Sequence, residues 1–258
     1  MTQYVGDELA GSRFTQVDLT GSRFQSCDLS KVEFRAVDMT GVTMRSVDLI
    51  DVSIDGSIEN MVINGVDVGP LIEAELDRRY PLRVKMRPTT PEEFVEAWDV
   101  IEQLWTETVA RARRLPPKTL HESVNDEWSF IETLRHLTFA TDSWLQRAIL
   151  GDPSPWDAFG LPWDEMPDTI GVPRDRSARP SLDEVLELRR DRMNRVRQYL
   201  SSLNDTRLQA HTTPVEGPGW PPPQSFEVRR CLLIILNEEW EHRRFAERDL
   251  DVLESRSS

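Results

Sequence analysis

Large apolar residues recur every five positions from Leu9: Leu9, Phe14, Leu19, Phe24, Leu29, Phe34, Met39, Met44, Leu49 and Ile54. From Phe14 onward a smaller residue stands two before each: Ser12, Val17, Ser22, Cys27, Val32, Val37, Val42, Val47 and Val52. A period of five is neither the 3.6 of an α-helix nor the 2 of a strand. It requires a chain that turns a corner every five residues and points two of them inward at each corner. The frame then slips by one residue and is open to continuation through Ile58, Ile63 and Val68.

After residue 69 the pattern becomes helical. Residues 69–81 fit a helix that caps an open stack, with Pro70 near its start and Pro81 beyond its end. Residues 82–90 read as a linker. Thr90, Pro91 and Glu93 combine an N-cap, a first-turn proline and a capping-box acid, predicting a helix over about 91–113. Ser129 with Glu132 opens a second helix to about 150, Ser181 with Glu184 a third to about 203, and Ser225 a fourth to about 254. Four helices of roughly 30 Å or more suit a four-helix bundle. The connections 151–180 and 204–224 are long and rich in proline. Their aromatic residues (Trp156, Phe159, Trp163 and Trp220) suit loops folded over the bundle, either as functional elements or as plain cover for the core.

The five-residue pattern resembles the pentapeptide-repeat family. That resemblance implies a right-handed quadrilateral β-helix of about three coils, spaced by roughly 4.8 Å. It would stack Asp18 on Asp38, Asp28 on Asp48, and Arg13 against Glu33. Cys27 would pack within it.

Charge narrows the partners. The chain has 258 residues and a net charge of −14. This argues against a phosphate-binding surface, which needs clustered Lys and Arg. The start, MTQYVGDELAG, has neither a basic nor an apolar signal region, and the run Cys231–Leu236 is too short to span a bilayer. Two cysteines fit a reducing, cytoplasmic setting. Cys231 fits the core of the last helix. Four histidines are present, so a His-based metal site must draw on His121, His136, His211 and His242. His121 and His211 lie in connections without ligand spacing.

Residues 128–137, WSFIETLRHL, place His136 two turns into the second bundle helix. Residues 237–243, NEEWEHR, put Glu238 and His242 on one face of the last, at an i, i+4 spacing. Facing helices of a bundle can hold a metal in this way. A solvated ion pair is the plainer alternative.

These segments resemble the DinB/YfiT superfamily, which includes bacillithiol- and mycothiol-dependent transferases and the maleylpyruvate isomerase type. The resemblance covers about 91–254. The family's site has one histidine on the second bundle helix and an H-x-x-x-H-R pair on the last. His136 matches the first, and His242 followed by Arg243 matches the end of the pair. Glu238 stands where the remaining histidine would be. Three readings follow: Glu238 is a carboxylate ligand, Glu239 takes that role, or the metal has been lost. The resemblance implies a metal set of His136, Glu238 and His242 holding a divalent metal, zinc first, with nickel, iron or manganese as options. Asn237 or Glu239 would orient the ligands.

The implied activity is transfer of a small thiol to an electrophile. Mycothiol is the expected thiol, because longer stretches look like a group of actinobacterial proteins. The expected organisation is a repeat β-helix over 1–68, a capping helix and linker over 69–90, and a DinB-like four-helix bundle over 91–256. The expected partners are the thiol and its electrophile, with no direct nucleic acid and no membrane; a homodimer is an open option. The competing class is a non-catalytic scaffold that docks through the repeat, or a DNA mimic acting on a topoisomerase. The repeat segment carries 11 acidic and 5 basic side chains over 1–68. That sign suits mimicry, but a stack of about 15 Å is short for it. The arginines at 174–179 could meet an anion or simply be solvated.

Overall fold

The computed structural model describes residues 4–6 and 8–257. The chain divides into two compact units, one reaching to Ser57 and the other beginning at Ile58.

In the first unit the five-residue period appears as backbone corners. Gly11, Lys31 and Asp51 have φ of 75°, 62° and 56°, and Gln16, Ser26, Ala36 and Ser46 have φ between 49° and 54°. Every second corner is a hydrogen-bonded turn, such as Ser12 N–H to the Leu9 carbonyl (3.0 Å) and Val32 N–H to Leu29 (3.2 Å). Glycine at 11, 21 and 41 takes the left-handed conformation without a Cβ penalty. Asp18, Asp28 and Asp38 bend back to accept from the amides of Thr20, Ser30 and Thr40 at 2.8–2.9 Å. The large residues of the period stay exposed, Phe24 at 63% and Phe14 at 61%. Cys27 is exposed as well, against the expectation that it packs inside.

The second unit opens with a hairpin. Strands β1 (Val62–Ile63) and β2 (Val66–Asp67) pair antiparallel, with Ile63 opposite Val66. Asn64 and Gly65 both have positive φ (51° and 84°), as a two-residue primed turn requires. The turn reverses the chain where Ile63 and Val68 had been open to continuing the repeat. Helix α1 (Gly69–Arg79) follows, and then a 3₁₀ turn (Pro81–Met86). The expected linker is therefore packed structure. Arg83 is paired with Glu73 and Asp77, each at 2.8 Å, and Met86 enters the core.

Four long helices form the body: α2 (Pro91–Ala112), α3 (Phe130–Thr141), α4 (Leu182–Ser201) and, after the short α5 (Asp205–Leu208), α6 (Val228–Ser257). The capping boxes at Thr90, Ser129 and Ser181 are all formed, and each start lies where the capping residues place it. Helix α2 buries Phe94, Ala97, Trp98, Ile101, Trp105, Thr108 and Ala112, a helical stripe of threes and fours. Helix α3 is buried nearly all round and packs on α4 and α6, while α2 packs on the same two. Trp240 lies in this core, and Trp144 packs against it half-buried.

Two expectations change. The second helix does not keep α winding to 150: it widens into a π-helix over Asp142–Ile149. Ser225 is not a cap, because its hydroxyl donates to the Thr212 carbonyl (2.8 Å) and α6 starts at Val228. Local capping chemistry lost there to a tertiary bridge in which Thr212 and Phe226 exchange hydrogen bonds.

Both long connections fold over the helices. Trp156 stacks on Phe139 at 5.3 Å, and Trp163 meets Trp220 edge-on at 4.8 Å, joining the two loops. Two fully buried arginines anchor them. Arg135 donates to the carbonyls of Phe159, Asp175 and Ala178. Arg147 donates to those of Pro153, Val215, Gly217 and Pro221. Among the described residues no helix is long and apolar enough to cross a membrane.

Candidate metal centre

Helices α3 and α6 bring His136, Glu238 and His242 together. One ligand atom from each lies within 4.8 Å of the others, and among the described residues this is the one such group of three or more His, Cys, Asp or Glu. The capping box at Ser129 sets where α3 begins and so how His136 is phased toward α6. One helical turn separates Glu238 from His242, so both face α3 from the same side of α6.

Backbone carbonyls orient both rings. His136 Nδ1 lies 3.0 Å from the Leu161 carbonyl and His242 Nδ1 lies 3.0 Å from the Glu238 carbonyl. A carbonyl oxygen can only accept, so each Nδ1 carries the proton, and in the neutral ring Nε2 is left with its lone pair. His136 Nε2 then faces Glu238 Oε2 at 3.2 Å. Two acceptors that close repel unless positive charge is shared between them, either a proton or a metal ion.

Burial raises the Glu238 carboxyl, but the hydrogen bond to His136 and the positive charge either imidazole gains on protonation outweigh it, and its pKa is lowered. Burial is the chief cause that lowers His242 to about 4, so this ring is neutral at pH 7. A carboxylate beside a neutral imidazole is a competent ligand set. Tetrahedral zinc with bonds near 2.0–2.1 Å keeps its donors about 3.3 Å apart. The three donors here lie within 4.8 Å of one another, about 1.5 Å beyond that spacing at most.

The surroundings are aromatic. Trp128 lies 4.5 Å from the His136 ring and stacks at 5.9 Å on His242, and the two imidazoles are themselves 4.8 Å apart. Phe139 and Phe245 add further walls at 6.3 and 6.0 Å from His136 and His242. The Trp128 indole N–H donates to Asp164 (3.1 Å), tying the site to the 151–180 loop.

A family model described as the DinB superfamily matches residues 101–246. The chain belongs to the DinB superfamily. Pentapeptide repeats match residues 8–56 in eight copies. No curated protein and no solved structure matches the chain.

Within this DinB domain the two glutamates separate cleanly. Glu238 faces the histidines, whereas Glu239 is committed to Arg189 through two hydrogen bonds of 2.7 Å. Glu239 thus stands outside the His136, Glu238 and His242 group, and Asn237 is exposed rather than set behind it. His211 is exposed and pairs with Glu227 in an isolated bridge, and His121 closes a short 3₁₀ turn. The 174–179 arginines serve the loop itself. Arg174 holds Asp168 and the Trp163 carbonyl (3.0 Å each), and Arg176 pairs with Asp164.

Sequence reasoning missed two features of the centre. The Leu161 carbonyl acts through backbone, which no residue type signals. Trp128 was legible as part of the helix-start motif, but its place over both imidazoles was not.

Proposed function

We propose that the DinB domain is a four-helix bundle binding one divalent metal ion through His136, Glu238 and His242. On this reading it is an S-transferase that joins a small thiol of the mycothiol type to an electrophile. The observation that carries the reading is the 3.2 Å approach of His136 Nε2 to Glu238 Oε2 with Nδ1 already donating to Leu161. A divalent ion held there would lower the pKa of a bound thiol or water, supplying a nucleophile at neutral pH. The chain's own groups would prepare for that chemistry. Leu161 and the Glu238 carbonyl set the tautomers of the two rings. Trp128, Phe139 and Phe245 limit water around them. The thiolate would form one bond to the electrophilic carbon as the leaving group departs with its electron pair. No protein side chain need act as nucleophile: Cys231 is buried, and burial pushes its thiol up to about 12.

For the repeat unit we propose stacking of its coils into a β-helix, which would cover the apolar column. The second reading, a docking element on a metal-free scaffold, is favoured by that column's exposure, 45–63% at Leu9, Phe14, Leu19 and Phe24. DNA mimicry fits only the sign of the charge. A cytoplasmic setting and a homodimer belong to the same proposal.

Metal analysis of protein purified without an affinity tag tests the site. Wild type should carry about one equivalent of metal, lost in His136→Ala/His242→Ala. A wild type that holds no metal, and gains no thermal stability with Zn²⁺, Ni²⁺ or Mn²⁺, would support the scaffold reading instead. Conjugation of monochlorobimane with mycothiol or bacillithiol tests the reaction, and no acceleration with either thiol removes the transferase assignment.

A further inference from the structure

Arg135 is wholly buried. Among the described residues its guanidinium forms no ion pair. Its partners are three main-chain carbonyls of one loop: Phe159 at 2.8 Å, Asp175 at 2.5 Å and Ala178 at 3.3 Å. The Asp175 carboxylate is occupied locally, accepting from the Ser177 amide and hydroxyl (2.8 and 2.6 Å) and the Ala178 amide (3.1 Å). A buried cation with no carboxylate in contact, only the fields of Glu132 and Asp175, is an expensive way to fill a helix face that an apolar side chain could fill.

What it holds explains its presence. The Arg135 side chain grips Phe159, and the Arg135 carbonyl accepts from the Leu161 amide at 3.3 Å. The Leu161 carbonyl in turn accepts from His136 Nδ1 at 3.0 Å. Adjacent residues of α3 thus hold the same three-residue stretch, one through its guanidinium and one through its imidazole. The turn at 175–178 is drawn to the same guanidinium.

We propose that Arg135 is a positioning residue for the candidate metal ligand His136: it holds the 159–178 loop so that the Leu161 carbonyl fixes the Nδ1–H tautomer and presents Nε2 to Glu238. This rests on the metal reading for its consequence, but the tautomer itself does not require a metal. Partners that orient a ligating histidine typically matter by about 10–100-fold in metal affinity. Coupling is reciprocal, so metal at the site must also steady the loop.

The test compares Arg135→Lys with Arg147→Lys in the full chain. Lysine keeps the charge but cannot fork to three carbonyls. Arg147 is the control: a second buried arginine on loop carbonyls, none of them Leu161. Two readouts are taken, the Zn²⁺ dissociation constant and the His136 tautomer from imidazole ¹⁵N shifts in metal-free protein. The expected result for Arg135→Lys is about 10–100-fold weaker Zn²⁺ binding and loss of the single Nδ1–H form; Arg147→Lys changes neither. Wild-type affinity and tautomer in Arg135→Lys overturn the proposal, as does an equal loss in Arg147→Lys. If wild type binds no Zn²⁺, the metal reading fails and the tautomer comparison still decides the role of Arg135. Should Arg135→Lys not fold, hydrogen exchange of wild type decides: Zn²⁺ should slow the Leu161 and Ala178 amides and leave Gly217 unchanged. Unchanged exchange at Leu161 in Zn²⁺-loaded protein overturns the coupling.

Discussion

Arg189 on α4 and Glu239 on α6 meet in a two-point ion pair, with both bonds 2.7 Å long and the side chains only 3% and 1% exposed. Successive residues of a helix differ by about 100° in direction, so Glu239 turns to α4 while Glu238 turns to the histidines. Breaking a buried pair strands a charge and costs about 3–5 kcal/mol, whereas replacing both partners by apolar residues costs far less. Glu239→Gln should therefore lower stability in urea by about that amount and leave metal stoichiometry unchanged. Arg189→Met/Glu239→Leu should recover most of the loss. Loss of bound metal in folded Glu239→Gln would mean that Glu239, not Glu238, is the ligand.

Acid and base act against each other in the metal-free protein. Burial raises Asp142 to about 6 from its ordinary 3.8, only partly offset by Arg192. The folded state then binds the proton more tightly than the unfolded, so this contribution is full below 3.8 and is lost as pH rises through 6. His242 runs the other way. Its pKa is lowered from 6.5 to about 4, so its contribution is full above 6.5 and is lost as pH falls through 4. Between pH 4 and 6 the two slopes oppose. Asp142→Asn should make stability rise with pH there, and His242→Gln should make it fall, as chemical denaturation in EDTA would record. Parallel slopes in the two variants would contradict the assignment.

The Ser129 capping box starts the helix that carries His136, with the serine hydroxyl accepting from the Glu132 amide at 3.3 Å. Ser129→Ala should cost about 1 kcal/mol, the usual worth of such a cap. Thermal melts can compare it with Ser225→Ala, which should lose only one hydrogen bond of a loop bridge.

The cysteines should differ in reactivity. Cys27 is exposed, whereas Cys231 is buried with its thiol pushed up to about 12. Ellman's reagent should titrate one thiol quickly in native protein and the second only after unfolding. Two fast thiols would show that the start of α6 opens readily.

Much of this protein could be read locally. The five-residue period anticipated the corners at 11, 16, 21 and 26, because a turn's φ is chosen by neighbouring residues. Three capping boxes placed three helix starts for the same reason. The Asn64-Gly65 turn is an equally local signal, a positive-φ pair between two apolar residues, and it ends the repeat frame. Ser225 misled: a serine before an apolar run resembles a cap unless its hydroxyl has a better partner across the fold.

The sequence by itself determined the repeat, the helices and the residue types available to a metal. Only the tertiary structure decided which of them meet. Glu238 and Glu239 are chemically identical, and the packing of α6 against α2 and α3 assigns one to the histidines and lets the other reach Arg189 on α4. Likewise nothing local marks Arg135 or the Leu161 carbonyl, because their partners lie about 25 residues or more away along the chain and are joined only by a folded loop. Propensity and capping act over a few neighbours, whereas a site is a convergence of distant groups that exists only once the core has closed.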